Sequence, residues 1–433
     1  MAMKRFLLAA CGTAALLAGP GRAAAETAAN GFSVRISGDA SFSVLAIKQS
    51  YDSANGNTSN TDFTNLTHLL ITPSATADNG TEYGANLRIN AWVSDGTIEA
   101  DQAYLFADGG WGRIEAGLVP NPNSQYGVTA PSGFGTGGVI GDWAEGSGIN
   151  TSVNNQTTFL EAVFGGGYNN ITKSSWATRI TYITPRILTQ ADEFTGLMGY
   201  LSYAPQNVSV NTDVSRTYRL TTAAASAAAR NDFCSQQGAS PAVGCYYKNI
   251  AEAGFRYDGV FDGISVIAGA AYERGEAPTS NGANPGGYHP LSAYQAGLQL
   301  GYAGLLIGGS YLNAGKSAYS RSPALILEDQ STITAGVSYE TGPVVIGFNY
   351  AHGQDAGDPG VAGKRTADLF SVGLTYSIAP GFITAIEYLR SLSHNEAGFA
   401  NDAFGNDAQG TAAVTGFGSG NASMIVWKTT ITF

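Results

Sequence analysis

The residues suited to chemistry are few and scattered. Four histidines, His68, His289, His352 and His394, occur in 433 residues. None stands in an HExxH spacing or beside a nucleophile elbow, so neither a zinc-peptidase helix nor a serine-hydrolase turn is encoded. A triad converging from distant residues is the weaker reading, and the expectation is a protein that is not an enzyme. Cys234 and Cys245 lie close together in the polar stretch NDFCSQQGASPAVGCYY. In an oxidising compartment such a pair is expected to close as a disulfide, stabilising the loop by about 3 kcal/mol in the chain-entropy model. Metal binding there would need more ligands, and no histidine is near in sequence. Two acidic runs, DSANGN at 52–57 and DAGD at 355–358, could hold Ca²⁺ between loops. They lack the spacing of a defined calcium loop, and solvated turns account for them better. No other cofactor is expected.

Composition points away from an ordinary soluble enzyme. Charged residues make up 13% of the chain and aromatics 11%, with 57 glycines, whereas soluble domains carry about 25% charge. The aromatic content excludes bulk disorder. A formal charge of −11 opposes nucleic-acid binding, which needs basic patches. No internal window holds 18 consecutive apolar residues, so no helical membrane span is encoded. Residues 1–25 read as a signal peptide: Lys4 and Arg5 precede an apolar stretch that ends at Ala23-Ala24-Ala25. Leu8-Ala9-Ala10-Cys11 also resembles a lipoprotein processing box, though the apolar stretch before Cys11 is short for one. Cleavage after residue 25 removes three basic residues and deepens the negative charge.

The remainder alternates in twos. Over 32–44, Phe32, Val34, Ile36, Ala40, Phe42 and Val44 occupy one parity and Ser33, Arg35, Ser37, Asp39, Ser41 and Ser43 the other. Similar alternation marks 83–93, 294–302, 344–350 and 370–376, which is the strand period. Counting predicts strands near 32–48, 64–76, 82–94, 98–107, 112–119, 176–185, 194–205, 249–258, 261–274, 291–303, 304–314, 330–340, 343–353, 366–378, 381–392 and 423–433. A seventeenth candidate, 156–165, is assigned to a loop to restore an even count. The run 221–229, TTAAASAAA, could form a short loop helix.

Alternation alone fits a soluble sandwich as well as a membrane barrel. Three features decide for the barrel. Tyr and Phe crowd the strand ends, as interfacial girdles require. Tight turns (77–81, 108–112, 258–263, 341–343, 378–381) alternate with long polar loops (206–248, 275–290, 315–329, 354–365, 394–421). The chain ends on an apolar strand in which Ile425, Trp427, Ile431 and Phe433 share a face. The expected fold is all-β, a sixteen-stranded antiparallel transmembrane barrel occupying 26–433 as one domain.

With these elements assigned, the chain resembles the Gram-negative general porins over nearly all its mature length. Gln102-Ala103-Tyr104-Leu105-Phe106, followed by Gly109-Gly110-Trp111-Gly112-Arg113-Ile114 and Gly117, resembles the strand–turn–strand before the constriction loop. Phe370-Ser371-Val372-Gly373-Leu374-Thr375-Tyr376 with Pro380-Gly381 resembles the penultimate hairpin, and the cysteine-closed loop and low charge resemble α-proteobacterial members. The resemblance implies a homotrimer in outer-membrane lipid that conducts small hydrophilic solutes and ions. Trp427, Ile431 and Phe433 would be the signal read by the assembly machinery. It also implies that loop 120–175 folds inward, with Asp142 and Glu145 as its acidic side, although solvated loop acids are the plainer reading. A basic wall opposite would comprise Arg35, Arg88, Arg179 and Arg256, with His68 weaker, unless these merely line the wall. Asp39 and Asp101 share those polar faces, a departure that suggests weak cation preference. A substrate-selective sugar or anion channel and a non-transporting structural barrel are the alternatives.

Overall fold

The computed structural model describes residues 31–49, 61–92, 97–140, 176–189, 195–206, 247–277, 288–317, 321, 328–355, 363–395 and 419–433. The signal segment with Cys11, the run 52–57, residues 156–165, the 221–229 run, and Cys234 with Cys245 lie outside these residues, as do Asp142 and Glu145. Of the run 355–358, all but Asp355 lies outside them as well.

Sixteen strands are present: β1 Ser33–Gln49, β2 Thr61–Thr76, β3 Glu82–Trp92, β4 Thr97–Gly109, β5 Gly112–Pro120, β6 Trp176–Ile183, β7 Gly196–Gln206 and β8 Lys248–Phe261. They continue as β9 Ile264–Glu276, β10 Leu291–Tyr302, β11 Leu305–Gly315, β12 Gln330–Thr341, β13 Val344–Asp355, β14 Arg365–Ala379, β15 Phe382–Asn395 and β16 Ser419–Thr432. Each pairs antiparallel with its sequence neighbours, and β1 closes on β16, giving a barrel with no free edge. Closure satisfies every ladder donor and acceptor internally, the condition for crossing hydrocarbon with strands. No described helix is long and apolar enough to cross a membrane.

Turn chemistry sets the short end. The β8–β9 connection is the two-residue turn Asp262-Gly263, with φ of 48° and 82°, and β10–β11 turns on Ala303-Gly304, with φ of 50° and 87°. Both central residues are left-handed, as the type I′ hairpin demands. β8 therefore extends to Phe261, three residues past the sequence-based end at 258.

The two faces separate as the pleat requires. Outward stand Phe42, Leu105, Ile180, Tyr302, Phe348 and Trp427, all exposed. Inward at mid-height stand polar side chains such as Asn86, Ser202, Gln295, Asn349 and Ser371, all buried. The inner face is not polar throughout, however. Towards the loop end Leu45, Ile47, Leu369, Leu389, Met424 and Val426 form an apolar cluster with Val139. A second cluster joins Met198, Tyr200, Ile250, Leu291 and Leu312, with Tyr126 packed against it. These inward apolar residues face protein rather than water, because a segment of chain occupies part of the interior.

Candidate functional site

That segment begins where β5 ends. Asn121 caps the short helix α1 (Pro122–Tyr126): its Oδ1 accepts from the backbone N–H groups of Asn123 and Ser124 at 2.9 and 3.3 Å. Pro122 fits the first helical position, where a missing N–H is no loss. The chain then runs to a 3₁₀ turn at Gly138–Ile140, and its partners lie on inward positions of β7 to β15, beginning with Tyr200, whose hydroxyl donates to Asn123 Oδ1 at 3.3 Å.

Two asparagines make the first anchor. Asn121 Nδ2 donates to Glu252 Oε2 at 2.5 Å and to Glu273 Oε2 at 3.2 Å. The backbone N–H of Asn123 donates to Glu252 Oε1 at 2.8 Å, and its Nδ2 to Gln295 Oε1 at 2.5 Å. Further along, Gln299 Nε2 donates to the Thr129 carbonyl at 2.8 Å, and the Ala130 N–H to Thr334 Oγ1 at 3.1 Å. Asn349 holds two points, accepting from the Val139 N–H at 2.9 Å and donating to the Pro131 carbonyl at 3.0 Å. Glu387 accepts from the N–H and Oγ1 of Thr136 at 2.5 and 2.6 Å, and from Ser371 Oγ. Hydrogen bonds to a charged acceptor contribute about 1.5–3 kcal/mol each, so Glu387 is the strongest single tie at this end.

Glycines let the segment lie flush with the wall. A Cβ on Gly297 would meet the Val128 carbonyl oxygen at 1.9 Å, and one on Gly347 would meet the Phe134 ring at 2.0 Å. Phe134 is buried in that notch, with Gly135 packed against Gly373.

Glu252 and Glu273 face each other across β8 and β9, and both are buried. Like charges directly opposite repel. Arg179, buried on β6, lies 3.9 Å from Glu252 Oε2 and offsets its charge, and the Asn121 amide bridges the two carboxylates. Burial, with Glu115 adding to it, pushes the Tyr126 phenol above its ordinary range, so it stands neutral among these charges.

The four arginines expected from the sequence do not act as one wall. Arg179 is occupied by Glu252 and by Ser202, to which it donates at 3.4 Å. Arg256 is held by both oxygens of Asp258 at 2.8–3.0 Å and donates to the Tyr126 carbonyl at 3.4 Å. Arg35 is exposed on β1. Arg88 on β3 meets the Gln102 amide oxygen at 3.1 and 3.2 Å once that amide is turned. His68 pairs with Asp39 at 3.1 Å, so Asp39 is matched rather than free. Arg113, which the parity reading passed over, binds Glu115 at 2.7 Å and Asp108 at 3.3 Å.

Trp427, Ile431 and Phe433 all face outward and are exposed. Phe433 exchanges backbone hydrogen bonds with Gly38 at 2.8 and 2.9 Å, which ties the chain end into the β1–β16 seam. Trp427 Nε1 donates to Thr384 Oγ1 at 2.8 Å.

The anchors Glu252, Glu273, Glu387 and Asn349 were not singled out from the sequence. The parity that offered Arg179 and Arg256 places them on the same inward face, and Asn121-Pro122 is a helix-start signal. Among the described residues no cluster of three or more metal-ligating side chains occurs.

A family model described as Gram-negative porin matches residues 12–398. No curated protein sequence matches the chain. Among solved structures, the outer-membrane channel DcaP of Acinetobacter baumannii is similar at a TM-score of 0.53 and 12% identity, covering 94% of this chain and 99% of that one. OmpT of Vibrio cholerae in a trimer form follows at 0.51 and 12%, covering 93% and 99%. The anion-selective porin of Comamonas acidovorans reaches 0.50 and 13%, covering 93% and 100%. At such identities these neighbours establish the fold, while the family match extends over most of the chain. A closed sixteen-stranded barrel, a segment fixed along its inner wall and that match together make this chain a member of the Gram-negative porin family, a non-enzymatic channel of the outer membrane.

Proposed function

We propose that the channel passes small hydrophilic solutes and ions by passive diffusion, with residues 121–140 setting the width of its narrowest part. The observation carrying this reading is the row of inward ties from Glu252 to Glu387. It fixes the segment against β8–β15 at mid-height, where a loose loop would block or vary the passage. Solutes then move between this segment and the wall of β1–β5 and β16. Transport on this reading needs no chemistry, only a water-filled polar passage of fixed width.

A weak cation preference is supported by the formal charge of −11 and by the pairing of Arg179, Arg256 and Arg113 with carboxylates, which offsets their fields. One observation favours the opposite sign: Arg35, Arg88 and Lys428 point inward from β1, β3 and β16, strands that carry none of the segment's hydrogen-bonding anchors among the described residues. A subunit count of three rests on likeness to the trimeric neighbour. Trp427, Ile431 and Phe433 remain our candidates for the assembly signal, Cys234–Cys245 for a disulfide, and Asp142 and Glu145 for acids at the constriction.

Single-channel recording in a planar bilayer tests the proposal. Stepwise, weakly selective conductance is the expected result. A small conductance blocked by one particular sugar or anion would replace it with a substrate-selective channel. Folded, heat-modifiable protein without conductance would leave a structural barrel.

A further inference from the structure

Inside the barrel, β1, β2 and β3 set three polar side chains in one row across the strands. The register puts Asp39 opposite His68 and His68 opposite Asn90. All three take the parity opposite to the exposed Phe42, Phe63 and Tyr83, and so face the lumen. Side chains directly opposite on one face have Cβ atoms about 4.5–5.5 Å apart, so each can reach its neighbour. His68 and Asp39 are partly exposed, which leaves the row open to the lumen.

The two ends of the row define what its middle can hold. His68 Nδ1 lies 3.1 and 3.3 Å from the two Asp39 oxygens. A carboxylate only accepts, so the ring proton sits on Nδ1 and the neutral imidazole presents its Nε2 lone pair. A carboxylate behind Nδ1 is the arrangement that orients metal-binding histidines and raises their basicity. On the other side Asn90 is 8% exposed, and its Oδ1 is buried without a hydrogen-bond donor. An oxygen left so is costly and rare in native proteins, and a bound ion or water is a common answer. Leu66 and Leu70 flank His68 along β2 on the same face, and apolar neighbours strengthen electrostatic attraction. Arg88, two residues before Asn90, directs its guanidinium to the Gln102 amide oxygen.

We propose that His68 Nε2 and Asn90 Oδ1 together bind a divalent transition-metal ion of the zinc or copper class, with water in the remaining positions. Imidazole nitrogen suits these metals, whereas Mg²⁺ and Ca²⁺ take oxygen ligands. Asp39 adds a negative charge behind the imidazole and offsets part of the ion's own. Two protein ligands hold an ion loosely enough for it to leave, as a site along a channel must. The site itself follows from register and parity. That an ion there stands in the conducting passage rests on the path proposed above, between residues 121–140 and β1–β5.

Calorimetric titration of the intact, detergent-purified barrel with zinc chloride reads the site without requiring conduction. The expected result is saturable zinc binding that is lost in His68→Gln. Asp39→Asn should weaken it about tenfold, the usual effect of removing a carboxylate behind a metal-bound histidine. Asn90→Asp, which puts a charged oxygen in place of the amide, should tighten binding, a gain that a merely structural amide would not give. His352→Gln, whose histidine stands on the outward face of β13, should leave binding unchanged. Unchanged zinc binding in His68→Gln, no gain in Asn90→Asp, or equal binding of calcium chloride would each overturn the proposal. Heat-modifiability on gels confirms that each variant is a closed barrel; if Asn90→Asp does not close, weaker binding in Asn90→Ala is the expected result in its place, and unchanged binding there overturns the proposal. Brief zinc-dependent interruptions of the single-channel current, absent in His68→Gln, would support both the site and the passage. Bound zinc without interruptions would support the site and count against the proposed path of solutes.

Discussion

A single carboxylate can decide how still the constriction is. Glu387 gathers Thr136 of the inward segment and Ser371 of β14. Glu387→Gln keeps the shape but weakens three charge-assisted bonds; more frequent current fluctuations in single-channel records are expected, with the barrel still closed. Gly347→Ala acts by volume, since the new methyl would overlap the Phe134 ring. Overpacking of this kind costs about 1–3 kcal/mol and should push the segment off the wall, lowering the conductance. Arg179→Met leaves Glu252 and Glu273 facing each other without their cation. Removing one member of a buried ionic set costs about 3–5 kcal/mol, to be read as a lower temperature of heat-modifiability. These residues were hard to see in the sequence for a physical reason. Parity says which face a side chain takes, but not which inward acids receive N–H groups from a loop more than a hundred residues away.

Strands and turns were far more legible, because alternation and left-handed turn residues are local. All sixteen strands stand near their expected places, and the β8–β9 hairpin differs only because Asp262-Gly263 can carry two positive φ angles and so needs no longer turn. The same local rule makes a prediction. Gly263→Val places a branched side chain at φ of 82° and should destabilise the hairpin by about 1–2 kcal/mol, while Asp262→Asn, equally tolerant of that conformation, should leave stability unchanged. Thermal unfolding followed by circular dichroism separates the two. The helix α1 escaped the strand count, although Asn121-Pro122 announces it, because five residues give no helical period. The inner apolar clusters escaped too: alternation predicts a wet inner face, and only the tertiary path of 121–140 shows where protein replaces water.

At the scale of the molecule, sign and seam can be tested. The reversal potential under a salt gradient should lean weakly towards cations; replacing Arg35 and Arg88 with glutamine should strengthen that lean, whereas an unchanged value would remove these two from the conducting path. Deleting Phe433 takes away both backbone bonds to Gly38 and should reduce the yield of folded, heat-modifiable barrel. The path of the inward segment also sets an order of events. Residues 121–140 emerge early in synthesis, yet their partners, from Glu252 to Glu387, are made 129 to 251 residues later. Contacts so distant form last, after the entropy of closing long stretches of chain has been met. A barrel halted before β15 joins would thus lack the Glu387 tie to Thr136 and keep an open side. The width of the pore is a property of the finished ring alone, acquired in the same step that seals it.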